Sequence, residues 1–297
     1  MTTASTDHLT RFLLPKAGVR GVSVQLHDTW QTIRDRAEYP AAAAELLGEA
    51  CAASALFTGH TKVDGRLSVQ LRSQGALRTL FAECTAAGTI RGIVQLAENQ
   101  DAPRDLGDLG DEALLAITIE NPGLDPREPQ RYQSLVALQA SRLADAFEDY
   151  FRQSEQLPTR LLLAANGHHA AGLMLQKLPG DEGDADGWVR SGALFDTLGE
   201  AELLETAPAL LLHRLFHEES PQILTERPIR FACSCSRERV AGMLQSLGQE
   251  EATAALSEGK AEVRCEFCGQ HYRFSAEDIG ELFALPPVGI SAPDRLQ

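Results

Sequence analysis

Four of the chain's six cysteines fall in its last quarter as two close pairs, Cys233-Ser-Cys235 and Cys265-Glu-Phe-Cys268. Four thiolates in two pairs are the donor set of a tetrahedral soft-ligand site, for which zinc is the expected metal, one ion per chain. The Cys-x-x-Cys arm is ordinary for a knuckle at a hairpin turn. Cys-x-Cys is the rarer arm and is less expected of a purely structural site. The segment that carries them, 232–297, is marginal in length for a core of its own, so metal binding there constrains whether it folds at all.

Two chemistries fit this donor set. One is an inert staple holding the tail together. The other is a redox centre, because the metal keeps the cysteines as thiolates, the form that oxidants attack, and each pair is near enough in sequence to close a disulfide. A structural zinc contributes about 10–16 kcal/mol of apparent folding free energy, against about 3–5 kcal/mol for a core of this size. Loss of the ligands should therefore unfold the tail. The physics allows such a switch without requiring it.

Charge narrows the partners. With 27 Lys and Arg against 42 Asp and Glu, the net charge is −15, which disfavours phosphate backbones and anionic membranes. The tail itself holds six Lys/Arg against ten Asp/Glu, a net of −4, so a nucleic-acid-binding zinc finger is not expected. Four thiolates fill a tetrahedral shell and leave no open position for a hydrolytic water. No P-loop, dinucleotide-binding or nucleophile-elbow motif is present, and no enzymatic activity is expected. The first residues lack a basic end followed by a long apolar run, and six cysteines in such a chain fit a reducing compartment. A soluble, cytoplasmic protein is expected, with no membrane partner.

Patterning predicts an α+β architecture: an N-terminal sheet-and-helix domain over 1–178, a helical linker over 179–231, and a small C-terminal zinc-binding redox domain over 232–297. Val22, Val24 and Leu26 alternate with polar residues, as do Leu67, Val69 and Leu71, and Ile90–Leu96 and Leu114–Ile119 read as further strands. Pro40 opens an Ala-rich helix to about Phe57, and Leu143, Phe147, Tyr150 and Phe151 mark one face of another. Asn166-Gly167 predicts the turn of a hairpin over Leu161–Gln176. The acidic, Gly-rich stretch Pro179–Gly187 predicts a surface break. Beyond it, Ser191 is a candidate cap for a short helix, and Pro208 starts another with Leu211, Leu212, Leu215 and Phe216 on one apolar face. Such short helices must rest on another surface to be stable. In the tail, Ser236 and Gly248 should bound a helix with a second running to Gly259, Val263–Phe274 should be a hairpin, Ser275–Asp278 a capping box, and Pro286-Pro287 a helix stop.

Lesser candidates read as structure. His213 and His217, followed by Glu218 and Glu219, have the i, i+4 spacing of helix-borne metal ligands but lie opposite the apolar stripe, as a solvated face would. His168 and His169 read as turn residues, and Cys51 and Cys84 as packed core thiols.

The tail motifs Cys233-Ser-Cys235-Ser-Arg-Glu-Arg-Val and Cys265-Glu-Phe-Cys268-Gly-x-x-Tyr272-x-Phe274 resemble the zinc centre of the redox-regulated bacterial holdase family, the heat shock chaperone of about 33 kDa. Glu148-Asp-Tyr-Phe-Arg-Gln-Ser-Glu-Gln156-Leu-Pro-Thr159 is similar to that family's most distinctive core segment. Lys62-Val-Asp-Gly-Arg-Leu, Gly172-Leu-Met-Leu-Gln176 and Leu211–Glu219 fit as well, in order along nearly the whole chain. The resemblance implies a chaperone without an ATP site, held inactive by zinc on Cys233, Cys235, Cys265 and Cys268. It also implies oxidation to disulfides Cys233–Cys235 and Cys265–Cys268, zinc release, linker unfolding and binding of unfolding client proteins, commonly as a homodimer. Clients then pass to ATP-dependent foldases. Leu211, Leu212, Leu215 and Phe216 are the candidate client surface once freed. A constitutive protein-binding scaffold with a purely structural zinc is the alternative.

Overall fold

The Ala-rich stretch after Pro40 carries apolar residues on every side, a composition that is stable in a helix only when it is enclosed. In the computed structural model, which describes residues 7–98, 100–110, 112–123, 128–180, 184–257 and 259–284, that stretch is helix α2 (Ala41–His60), set between two antiparallel sheets. By length and composition it could cross a bilayer, yet 83% of that window is buried inside the protein. Small residues allow the close approach. A Cβ on Gly92 would lie 2.9 Å from Cys51 Sγ, and one on Gly48 would lie 2.5 Å from the Ala165 Cβ. Cys51 and Cys84 are fully buried, and burial pushes both thiols well up, Cys84 to about 11. They are core thiols, as expected.

The chain divides into two compact units, Ala232 being the last residue of the first and the chain from Cys233 onward, grouped with Gly123–Pro129, making up the second. In the first, β1 (His8–Leu14), β2 (Val19–Leu26), β8 (Thr159–Ala165), β9 (Ala170–Lys177) and β10 (Gln222–Pro228) form a five-stranded sheet in the order β10-β1-β2-β9-β8. A second sheet has the order β11-β5-β4-β3-β6-β7, from β3 (Arg66–Arg72), β4 (Leu77–Thr85), β5 (Thr89–Leu96), β6 (Leu114–Asn121), β7 (Gln130–Val136) and the two-residue β11 (Arg230–Phe231), which alone in it pairs in parallel. Two further helices lie in the N-terminal part, α1 (Asp28–Arg34) and α3 (Leu143–Tyr150), the latter running into a π turn over Phe151–Glu155.

The inner strands β1, β2 and β9 of the five-stranded sheet are buried on both faces along most of their length. Val22, Val24 and Leu26 point to the α2 side, as their alternation predicts. The opposite face carries Phe12, Leu14, Ala171, Leu173 and Leu175, covered by α4 (Gly187–Phe195), α5 (Glu200–Glu205) and α6 (Pro208–Phe216). Three details differ from the sequence expectation. Helix α4 starts at Gly187, so Ser191 lies inside it, fully buried, rather than capping it. The hairpin tip falls one residue later than Asn166-Gly167: Asn166 N–H donates to the His169 carbonyl, and its side-chain oxygen accepts from the His168 and His169 N–H groups. Residues 222–228, expected to continue a helical pattern, are strand β10.

The second unit comprises α7 (Arg237–Leu247), α8 (Gln249–Ala254), the hairpin β12 (Lys260–Arg264) and β13 (His271–Ser275), and α9 (Ala276–Ala284). Ser236 caps α7 by accepting from Arg239 N–H, and Gly248 ends it at φ +100°. Helix α8 stops at Ala254, short of the expected Gly259. The capping box at Ser275 is present: Asp278 accepts from the Ser275 N–H at 2.7 Å and returns its own N–H to Ser275 Oγ at 3.1 Å. Pro286-Pro287 lies outside the described residues.

Candidate metal centre

The two cysteine arms come from different local structures. Cys233 and Cys235 lie on the irregular approach to α7, Cys235 one residue ahead of its Ser236 cap, where the unpaired N–H groups of a helix start favour negative charge. Cys265 and Cys268 form the tip of the β12–β13 hairpin. Its chain reversal is closed by Gly269 N–H to the Cys265 carbonyl at 2.7 Å and Cys265 N–H to the Gln270 carbonyl at 2.8 Å. Gly269 takes φ +72°, a left-handed conformation suited to glycine.

These arms bring the four sulfurs within 4.8 Å of one another, and none of the four is in a disulfide. Cys233 and Cys265 Sγ are 3.7 Å apart and Cys235 and Cys268 Sγ 3.3 Å apart. A tetrahedral shell with metal–sulfur bonds of about 2.3 Å has sulfurs about 3.8 Å apart, so the cluster has the dimensions to hold one metal ion. The nearest neighbours pair across the two arms. Tyr272 Oη donates to Cys235 Sγ at 3.1 Å. Although burial raises the Cys235 thiol, the Tyr272 hydroxyl and the adjacent thiols outweigh it and bring the group down to about 7. Burial pushes Cys268 up to about 12, and the thiols beside it add to the rise; Cys233 is also raised, chiefly by burial. The Tyr272 hydroxyl and the neighbouring thiols thus favour the thiolate form of Cys235, and a bound dication would draw protons off the ligating thiols.

Tyr272 was legible only as part of the tail motif. The period-two reading of β13 places it on the same face as buried Phe274, and that is the signal for its role. Arg239, which donates to the Ser234 carbonyl between the first two cysteines at 2.9 Å, had no such signal.

Leu211, Leu212, Leu215 and Phe216 are all buried on α6 against the five-stranded sheet, with Phe216 stacked on Phe12 at 6.4 Å between ring centroids. They are not part of the cysteine cluster. His213 and His217 are exposed on the opposite face of that helix, their rings 5.5 Å apart. Among the described residues, the four cysteines are the group positioned to bind a metal.

The family described as Hsp33 protein matches residues 7–275. The chain belongs to the Hsp33 family. Among its relatives are the 33 kDa chaperonin of Ectopseudomonas mendocina, 42% identical with 97% of this chain and 98% of the relative covered, and that of Azotobacter vinelandii, 43% identical over 94% and 95%. The crystal structure of the Hsp33 homologue of Thermotoga maritima has the same fold, with a TM-score of 0.75, 23% identity and coverage of 94% of this chain and 98% of that one. This Hsp33-family chain is therefore a chaperone with a mixed α+β fold.

Proposed function

We propose that this chaperone is an ATP-independent holdase of the cytoplasm, switched on by oxidation of a zinc centre at Cys233, Cys235, Cys265 and Cys268. The observation that carries the reading is the four-sulfur cluster, spaced for one ion and set in a unit with a small apolar core. An all-thiolate donor set with tetrahedral spacing selects zinc over harder metals. When bound, the ion supplies a fourfold cross-link between the two arms, beside the contacts of Tyr272 with Cys235 and of Arg237 with the Arg273 carbonyl and the Phe274 ring. Peroxide is reduced as the thiolates are oxidised: four cysteine thiolates, two hydrogen peroxides and four protons give two disulfides and four waters. The pairs formed are Cys233–Cys235 and Cys265–Cys268, which hold within each arm once the arms separate. Oxidation removes every ligand from the ion.

The unit then loses its cross-link, and the neighbouring stretch 179–231 is released from the sheet it covers. Leu211, Leu212, Leu215 and Phe216 become available to unfolding client proteins, with the active form a homodimer and the clients later handed to ATP-dependent foldases. The test measures zinc and free thiols before and after mild peroxide with gentle warming, beside suppression of a heat-unfolded client's aggregation. Loss of one zinc and four thiols, reversed by a reductant, together with suppression by the oxidised form alone, is expected. A closed four-thiolate shell also fits a constitutive scaffold with a purely structural zinc. Retained metal, untouched thiols and equal suppression by both forms would favour that second reading.

A further inference from the structure

Strand β10 runs antiparallel along β1, from Leu13↔Gln222 to His8↔Pro228, with Leu224 as an extra residue opposite the Arg11/Phe12 step. Its side chains bury almost nothing: every residue is exposed except the half-buried Arg227. It is therefore held mainly through its main chain. The strand it covers is different in kind. β1 is fixed along its other edge by β2 over His8–Leu14, and Leu9, Phe12 and Leu14 are fully buried.

Natural edge strands are protected by charge, proline or brevity. β1 (His-Leu-Thr-Arg-Phe-Leu-Leu) has no proline and a single Arg, and its apolar side chains point to both faces. The protecting features sit on β10, in Glu226, Arg227 and Pro228. β10 thus serves as a cover for a strand unsuited to being an edge. We propose that this edge is a docking site for an extended segment of unfolded polypeptide, which takes the place of β10 and adds an antiparallel strand to β1. The inference rests on the release of 179–231 described above and names how the released surface recognises its clients.

Main-chain recognition suits partners of unrelated sequence, because every extended chain offers the same N–H and C=O row. Selectivity for apolar segments follows from the neighbouring face. Departure of α4–α6 bares Phe12 and Leu14 together with Leu173 and Leu175, and alternate side chains of an added strand would lie beside the first two, where Ile223 now sits opposite Phe12.

The register identifies the reporting groups. Ile229 N–H donates to the Asp7 carbonyl, so residues 7, 9 and 11, and 13 by continuation, turn their main-chain groups toward β10. The test is residue-resolved amide exchange on the full chain, reduced and zinc-loaded or peroxide-oxidised, with and without a permanently unfolded probe, reduced carboxymethylated lactalbumin. The Leu9, Arg11 and Leu13 amides should be protected in the reduced form, exchange ~100-fold faster after oxidation, and regain protection with the probe bound. Fast exchange that persists with the probe bound would overturn the docking site while leaving the switch intact. Protection that survives oxidation would show that β10 stays, and would overturn the release on which the site depends. Protection that returns with rising protein concentration and no probe would assign the edge to a second copy of this chain instead. A second arm replaces Thr10→Cys with Glu226→Cys, a facing pair that does not exchange main-chain hydrogen bonds, with Cα atoms about 4.5 Å apart and within disulfide reach. Locking β10 in place should weaken probe binding by the oxidised form ~10-fold or more, and an unchanged affinity would overturn the proposal.

Discussion

In the sheet unit, a twenty-residue helix is enclosed by two sheets, and Trp30, Phe12, Phe57, Phe147 and Phe216 are all but inaccessible to solvent. In the cysteine unit, the buried apolar cluster comprises Val240, Leu244, Ala252, Ala261, Phe274 and Ile279. The first unit has ample apolar area to offset chain entropy, whereas the second has far less, and a metal cross-link would supply part of the difference. A third region falls between them. Helices α4–α6 have a real core against the sheet, but it is one layer deep and built from helices of six to nine residues. Apolar burial thus falls in steps from the scaffold, through the α4–α6 layer, to the cysteine unit. That gradient is what the proposed switch requires of its three parts.

The largest expected effect separates the two ends of the gradient. With the centre loaded with zinc as proposed, chelation under reducing conditions should remove about 10–16 kcal/mol from a unit whose core supplies about 3–5 kcal/mol. Amides of α7, α9 and the β12–β13 hairpin should lose exchange protection while those of α2, β3 and β9 keep theirs. Equal persistence in both units would mean that the six buried residues suffice.

The next test acts on the middle step. Phe216→Ala removes the ring stacked on Phe12 and should destabilise the α4–α6 layer by about 3–5 kcal/mol. Zinc content and thiol reactivity should be unchanged. A parallel loss of metal would show that the layer and the cysteine unit unfold together, and that the steps are one.

How much of this was legible depended on what each segment buries. The four cysteines and their caps could be read because metal and helix-end chemistry is local: Ser236, Gly248 and the Ser275–Asp278 pair each act on neighbours within three residues. Strands that alternate, β2 and β3, were equally plain. The strands that escaped lack that alternation for opposite reasons. β1 and β4 are buried on both faces or nearly so, and β7 and β10 are exposed edges with almost no buried side chain. The misplacement of the α4 start has the same origin. Ser191 has the chemistry of a cap, and only packing against the sheet shows that it is interior.

Within the scaffold, pH offers a probe in which any titration of the cysteines cancels when wild type is compared with His60→Gln. His60, at the end of α2, has its pKa lowered to about 4, first by burial and then by Arg20 and Arg11. Arg20 Nη2 contacts its Nε2 at 3.2 Å, an arrangement that needs a neutral imidazole to accept. Because the folded value lies below the unfolded value of 6.5, the unfolded chain binds the extra proton between the two. Stability from this group is complete above about pH 6.5 and is lost as pH falls toward 4, in all about 3 kcal/mol. Urea titrations from pH 7 to 4 should show the decline in wild type and a flatter profile in His60→Gln. Matching slopes would assign the decline to other groups.

The smallest effect concerns the α4–α6 layer again, in the stabilising direction. Ser191 is fully buried in α4, and its hydroxyl has no hydrogen-bond partner among the described residues. A buried hydroxyl left unsatisfied costs about 1–3 kcal/mol, while the methyl group of alanine in its place costs nothing comparable. Alanine is also the better helix former, by a few tenths of a kcal/mol. Ser191→Ala should therefore hold α4 more tightly to the sheet by about 1 kcal/mol, seen as slower exchange of the α4 amides in the reduced protein. The cysteines should oxidise at the wild-type rate, because the substitution touches neither arm. Activation of the client-binding form should then need more warming after oxidation than in wild type. If α4 exchanges no more slowly, the hydroxyl is satisfied in solution, and the weakness of the layer lies in its thinness rather than in this side chain.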